Sequence, residues 1–177
     1  MPRRRLGVAL LLPQPIATEV DGLRRALGDG ALGRLPAHLT LVPPVNVAED
    51  ALPDALAVLR AAARATRPLN LRLGPAATFD PVTPVVYLDV TGDVEPLHGL
   101  RDRLFAPPLE RALTHPFVPH VTVADDMDPG RIPAAVAALA DYVADVRVDA
   151  VYLLEEGRGR IWHPIAEAPF THRWLPA

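Results

Sequence analysis

The apolar positions change period along the chain, and the changes mark the elements. Leu6 to Leu12 is a continuous apolar run of strand length. Ile16–Leu27 then carries Ile16, Val20, Leu23 and Leu27 at helical spacing and stops at Gly28. Ala37–Val42 reads as a short strand that ends at Pro43-Pro44. Ala48–Thr66 is the clearest helix, with Leu52, Leu56, Leu59 and Ala63 on one face. Strands are expected at Leu69–Phe79 and Val85–Val90, joined by Asp80-Pro81-Val82-Thr83-Pro84, and a helix at Glu95–Phe105. Pro107-Pro108 opens a loop with a short helical turn at Leu109–Leu113. A strand at Phe117–Ala124, a helix at Pro129–Tyr142 and a strand at Val143–Glu155 follow. The last strand pairs with Ile161–Phe170 across the turn Gly157-Arg158-Gly159-Arg160.

The order repeats. A short strand beginning near a histidine is followed by a turn, an Ala-rich helix, and two strands joined by a turn, once in each half. Residue-level similarity between the halves is weak, so the repetition is one of architecture. Strands interleaved with helices, several of them antiparallel, predict an α+β (mixed α/β) class with two sheets meeting at a cleft. Residues 1–177 are expected to form one domain of two intertwined lobes.

Composition narrows the chemistry. Half the 177 residues are apolar and 22% are charged, as in an ordinary globular protein. No run reaches the ~18–20 apolar residues of a membrane span. Met1-Pro2-Arg3-Arg4-Arg5 before Leu6–Leu12 imitates a signal peptide, but the apolar stretch is short and Pro13 and Pro15 follow it. Cysteine is absent, which excludes disulfides, thiolate metal sites and cysteine nucleophiles, and fits a reducing cytoplasm. Lysine is absent too, so every basic residue other than histidine is arginine. The net charge of −3 argues against wrapping a long duplex, whose affinity comes from phosphate neutralisation. A small phosphorylated ligand or an RNA terminus remains compatible, and a monomer is expected.

The chemistry sits in two triplets, His38-Leu39-Thr40 and His120-Val121-Thr122. Alternation along a strand puts each histidine and threonine on one face, ~6.6–7 Å apart along the backbone, with Leu39, Leu41, Val121 and Val123 turned into a core. A neutral imidazole can take a proton from water, and a protonated one opposite can give a proton to a leaving oxygen. Two threonine hydroxyls can donate to the non-bridging oxygens of a phosphate. Imidazole is available in both forms near neutrality, which predicts a singly protonated working form in a window around pH 7. Six histidines and nine threonines give about 0.3 such triplets by chance, so two in matching places are informative.

Leu35-Pro36-Ala37-His38-Leu39-Thr40-Leu41-Val42-Pro43-Pro44 and Phe117-Val118-Pro119-His120-Val121-Thr122-Val123 resemble the paired signatures of the two-histidine (2H) phosphoesterase superfamily. The branch they resemble is that of the bacterial 2′-5′ RNA ligase-like proteins, many of them RNA 2′,3′-cyclic phosphodiesterases. The resemblance implies a bilobal, pseudo-two-fold fold with both motif strands lining a central cleft. It implies that His38, Thr40, His120 and Thr122 are catalytic, with the first histidine the acid and the second the base. Close relatives often carry a basic residue just after the second motif; here Ala124-Asp125-Asp126 stands there.

Other residues are weaker candidates. Arg34 and Arg131 are proposed phosphate contacts, and Phe79, Tyr87, Phe117 and Trp162 are the aromatics that could stack on a base, with Phe79 and Tyr87 favoured. His115 reads as a solvated loop residue near the cleft mouth, His98 as a structural residue of its helix, and His163 and His172 as packing or surface groups beside Trp162 and Trp174. No His/Asp/Glu cluster has metal-ligand spacing, so no cofactor or metal is expected. The expected reaction is metal-independent hydrolysis of a nucleoside or RNA-terminal 2′,3′-cyclic phosphate, with reversible 2′-5′ ligation open. Alternatives are another phosphoester (a cyclic ADP-ribose phosphate, a 2′-5′ linkage or a cyclic oligonucleotide) and a nucleotide-binding module without turnover.

Overall fold

The computed structural model describes residues 2–171, so His172 and Trp174 lie outside the described residues. Its elements are β1 (Arg3–Leu11), α1 (Ile16–Leu27), β2 (His38–Ala48), α2 (Leu52–Arg64), β3 (Leu69–Thr78), β4 (Val86–Gly92), α3 (Val94–Leu104), β5 (His120–Ala124), α4 (Ile132–Ala138), β6 (Ala144–Val148), β7 (Ala150–Glu156) and β8 (Trp162–Pro169). Single 3₁₀ turns at Glu49–Ala51 and Pro129–Arg131 lead into α2 and α4. No helix among the described residues is long and apolar enough to cross a membrane.

Two four-stranded sheets form the frame, one in the order β2-β1-β7-β8 and the other β5-β4-β3-β6. All pairings are antiparallel. The second sheet is drawn wholly from residues 69–148, while the first joins β1 and β2 to β7 and β8 from the other end of the sequence. Each motif strand therefore occupies an edge, β2 beside β1 and β5 beside β4. The mixed α+β class with two antiparallel sheets is as the sequence predicted.

Helix α1 agrees with the sequence to the residue, because its apolar spacing and Gly28 both mark the limits. Gly28 adopts φ +76°, a left-handed conformation that glycine takes without a Cβ clash, and its N–H caps the carbonyls of Arg24 and Arg25. The strand expected to stop at Pro43-Pro44 instead runs on to Ala48. Proline lacks an N–H but is tolerated on an edge strand, and the β1–β2 register slips opposite these prolines, between Leu6↔Val45 and Val8↔Val42. The strand expected at 117 starts only at His120, after Pro119.

The run read as one strand, Val143–Glu155, is two. β6 pairs with β3 and β7 with β1, so the chain leaves one sheet for the other at Asp149. β6 alternates Val146 and Val148 with Asp145 and Arg147, whereas β7 runs apolar from Ala150 to Leu154, and neither pattern names the partner strand. The repeat in the two halves is correspondingly imperfect. α2 leads into a hairpin, β3–β4, whereas α4 leads into two strands that belong to different sheets. The hairpin β7–β8 forms across residues 157–161 as expected. The expected helical turn at Leu109–Leu113 is a non-helical turn ending at Leu109.

Candidate active site

Along both motif strands exposure alternates as pleating requires. Leu39 and Leu41 are 1% exposed and Val121 and Val123 0%, while the histidines and threonines between them are half-buried. Each buried apolar side chain contributes about 2 kcal/mol of burial. The polar groups thus stand on strands held from behind. β2 and β5 approach each other as unpaired edges of their own sheets, and α1 packs against β5.

A cavity of about 560 Å³ opens between them. His38, His120 and Thr122 line it, together with Phe79, Arg24 and Asp29. Thr40 lines a smaller apolar hollow of about 90 Å³ that shares His38 and is closed by Gly7, Leu154 and Trp162. The two motifs therefore meet at one place in the molecule.

The imidazoles are oriented by the same device. Nδ1 of His38 lies 2.8 Å from the Pro36 carbonyl, and Nδ1 of His120 lies 2.7 Å from the Val118 carbonyl, two residues upstream in each case. A carbonyl can only accept, so Nδ1 carries the hydrogen and donates it. Nε2 of each ring is left to give or take a proton, and neither Nε2 has a protein partner among the described residues. Burial pushes the His38 imidazole down to about 4, the Pro36 carbonyl opposes this, and the Arg24 charge adds to the fall. Burial also lowers His120, against the opposing Val118 bond. Both shifts favour the neutral imidazole in the free protein.

Phe79 stands edge-on to His120, with ring centres 5.0 Å apart, and stacks on Tyr87 at 4.2 Å. Tyr87 does not line the cavity, although its ring also lies edge-on to His120 at 5.4 Å. Phe117 packs instead against His98 and the Arg101 guanidinium. Arg34 is off the cleft because its guanidinium donates to the Gly30 carbonyl of its own loop. Arg131 is exposed at the turn before α4 and does not reach the cleft either. His115, read as a loop residue, lines the mouth.

The groups that sequence reasoning missed are Arg24 and Asp29, whose side chains are 3% and 1% exposed. Arg24 Nε donates to Asp29 at 2.8 Å, and Nη1 donates to Asp21 and to the Leu35 carbonyl, each at 2.9 Å. The turn at Gly28 brings Asp29 back under α1, where its N–H donates to the Arg24 carbonyl. Asp29 also accepts from the N–H of Asp125, at 3.3 Å, just past β5. One buried ion pair is thus bonded to the backbone just before the first motif and just after the second. A signal was present: Arg24 follows Val20 by four and precedes Leu27 by three, so it interrupts the apolar stripe of α1.

Two edge strands that bring both motif histidines and Thr122 to one cleft, with Thr40 in the adjoining hollow, make a two-histidine phosphoesterase arrangement. The sequence model of the 2′-5′ RNA ligase superfamily matches residues 12–160, and the chain belongs to that family. It is similar to OB1230 of Oceanobacillus iheyensis, which carries a phosphoesterase name, at 30% identity over 146 residues, covering 78% of this chain and 85% of that one. Bcer98_0945 of Bacillus cytotoxicus is 27% identical over 161 residues, covering 90% and 92%. Among solved structures, TT0787 of Thermus thermophilus superposes with a TM-score of 0.64 at 21% identity, covering 94% of this chain and 97% of that one. E. coli LigT bound to 3′-AMP superposes with a TM-score of 0.66 at 18% identity, covering 97% and 100%. These two likenesses are of fold.

Proposed function

We propose that the protein hydrolyses a 2′,3′-cyclic phosphate, on a nucleoside or at an RNA end, to a monoester by acid–base catalysis with His38 and His120. The observation that carries this reading is the pair of imidazoles, each with Nδ1 committed to a backbone carbonyl, lining one cavity. LigT, which shares the fold, holds 3′-AMP, and this supports a nucleotide in the corresponding cleft. One neutral Nε2 takes a proton from water as the water oxygen bonds to phosphorus. The bond from phosphorus to one ribose oxygen breaks, and that oxygen takes the proton from the other Nε2. Resemblance gives His120 the basic role and His38 the acidic one. Thr122, and Thr40 from the adjoining hollow, donate hydrogen bonds to the phosphate oxygens. A panel of 2′,3′- and 3′,5′-cyclic nucleotides, read by chromatography of the monoester product, tests the reading; no turnover of any 2′,3′-cyclic nucleotide overturns it.

The lowered imidazoles fix the pH dependence. The working form carries one proton on the pair, and above both depressed pKa values that form becomes scarce. kcat/KM is therefore expected to peak on the acid side of pH 7, above about 4, and to fall as pH rises through neutrality. This displaces the neutral window that unperturbed histidines suggest. Bound phosphate brings negative charge, which raises the imidazoles, so the kcat optimum should lie at higher pH than that of kcat/KM. Each limb belongs to the coupled pair. A profile flat from pH 5 to 9 with chemistry rate-limiting is incompatible with the mechanism.

Turnover is expected to survive EDTA. Among the described residues no three His, Asp or Glu side chains are grouped to hold a metal ion, and both proton-transfer roles are filled by imidazoles. A loss on chelation that one divalent metal restores would count against the two-histidine scheme.

A further inference from the structure

The cleft wall is poor in positive charge. Its permanently charged members among the described residues are Arg24, Asp29 and Asp125. Arg24 is already committed to Asp29 and Asp21, at 2.8 and 2.9 Å, so its field is largely cancelled inside the protein. Asp125 is exposed, and its carboxylate makes no ion pair or hydrogen bond among the described residues. Nearby arginines are held elsewhere, Arg34 by the Gly30 carbonyl and Arg111 by the Pro44 carbonyl. Much of the remaining wall is apolar, from Leu35, Phe79, Val82, Val85 and Val118.

We infer that this cleft selects a phosphodiester bearing a single negative charge on a nucleoside, and that Asp125 disfavours substrates carrying further phosphates. The inference rests on the reaction proposed above and narrows its substrate from RNA ends towards mononucleosides. One anionic phosphate is matched by the one imidazolium of the working form. Among the described residues of the wall, a second phosphate on the same nucleoside finds no uncommitted arginine and meets the free carboxylate of Asp125. An unpaired like charge at a binding wall is a means of rejecting the wrong partner. At the separations of a nucleotide cleft it is worth about tenfold in selectivity. The apolar wall, with Phe79 edge-on to His120, suits the flat face of a base beside the reacting phosphate.

The test compares 2′,3′-cyclic AMP with the same nucleotide bearing a 5′-phosphate, in the wild type and in Asp125→Asn and Asp125→Arg. The 5′-phosphate is expected to lower kcat/KM about tenfold in the wild type. Asp125→Asn should narrow the ratio to within about threefold, and Asp125→Arg should reverse it. Calorimetric binding of 3′-AMP and adenosine 3′,5′-bisphosphate asks the same question without turnover, with 3′-AMP binding about tenfold more tightly to the wild type only. Equal or better use of the 5′-phosphorylated substrate, or a ratio that Asp125→Asn leaves unchanged, overturns the inference. If neither cyclic nucleotide is hydrolysed but the binding difference follows Asp125, the reaction falls and the charge selection stands.

Discussion

Alanine at His120 is expected to lower kcat/KM for 2′,3′-cyclic AMP by about 10²–10⁴-fold, and alanine at His38 by a similar factor. The reason is geometric. Each Nδ1 is tied to a carbonyl two residues upstream, so each ring has a single nitrogen free for proton transfer, and each supplies one of two proton transfers. Little change in stability should accompany the loss, because the rings are half-buried and their strands are held by Leu39, Leu41, Val121 and Val123. The two variants should differ in one respect. A diester with a nitrophenol leaving group needs no proton on departure, so it should recover much of the loss in the variant lacking the acid and little in the variant lacking the base. His38→Ala is the variant expected to recover. Full activity in both single variants rules the mechanism out, and recovery in His120→Ala instead exchanges the two roles.

The second large effect is expected on stability. Arg24→Met removes one partner of an ion pair whose side chains are 3% and 1% exposed and leaves Asp29 charged and buried. Breaking a buried pair from one side costs about 3–5 kcal/mol. For a chain of this length that corresponds to a fall of about 10 °C in Tm. Converting both members to apolar residues, as in Arg24→Met with Asp29→Leu, should recover only part of the stability, since the uncompensated charge is gone but the Leu35 carbonyl and the Asp125 N–H lose their partners. Thermal unfolding followed by circular dichroism checks both. A single variant as stable as the wild type would mean that the pair is solvated and that Asp29 is not the group Arg24 neutralises.

The motif residues were legible because a strand's two-residue period converts a triplet directly into a surface: His38 and Thr40 on one side, Leu39 and Leu41 on the other. Helix α1 was legible because its stripe and its terminating glycine agree. The path of the chain after α4 was not. Ala144–Val148 alternates charged and apolar residues and Ala150–Leu154 is a continuous apolar run, but neither pattern names its partner, β3 or β1. Pairing between distant strands leaves no local trace. The same limit explains the arginines. Arg34 stands next to the first motif in sequence but bonds within its own loop, whereas Arg24, fourteen positions before His38, lines the cleft. Proximity along the chain points to Arg34, whereas the residue that lines the cavity, Arg24, is marked only by the break in the apolar stripe of α1.

The division of strands between the sheets bears on how the chain is made. β3, β4, β5 and β6 emerge consecutively, so their sheet has all its members once residue 148 has been synthesised. β1 precedes every other strand of the fold, yet Leu6 pairs with Glu155 on β7, which follows all four strands of the second sheet. Until then β1 and β2 form only a two-stranded ribbon, too small to be stable alone, with the β7 side of β1 unpaired. Such an edge can recruit the wrong strand. The N-terminal ribbon is therefore the part of the nascent chain most exposed to mispairing, and Arg3, Arg4 and Arg5 at its start place charge there while it waits. Arg4 and Arg5 then find Glu155 and Glu156 when β7 docks, so the same side chains that guard the open edge close it.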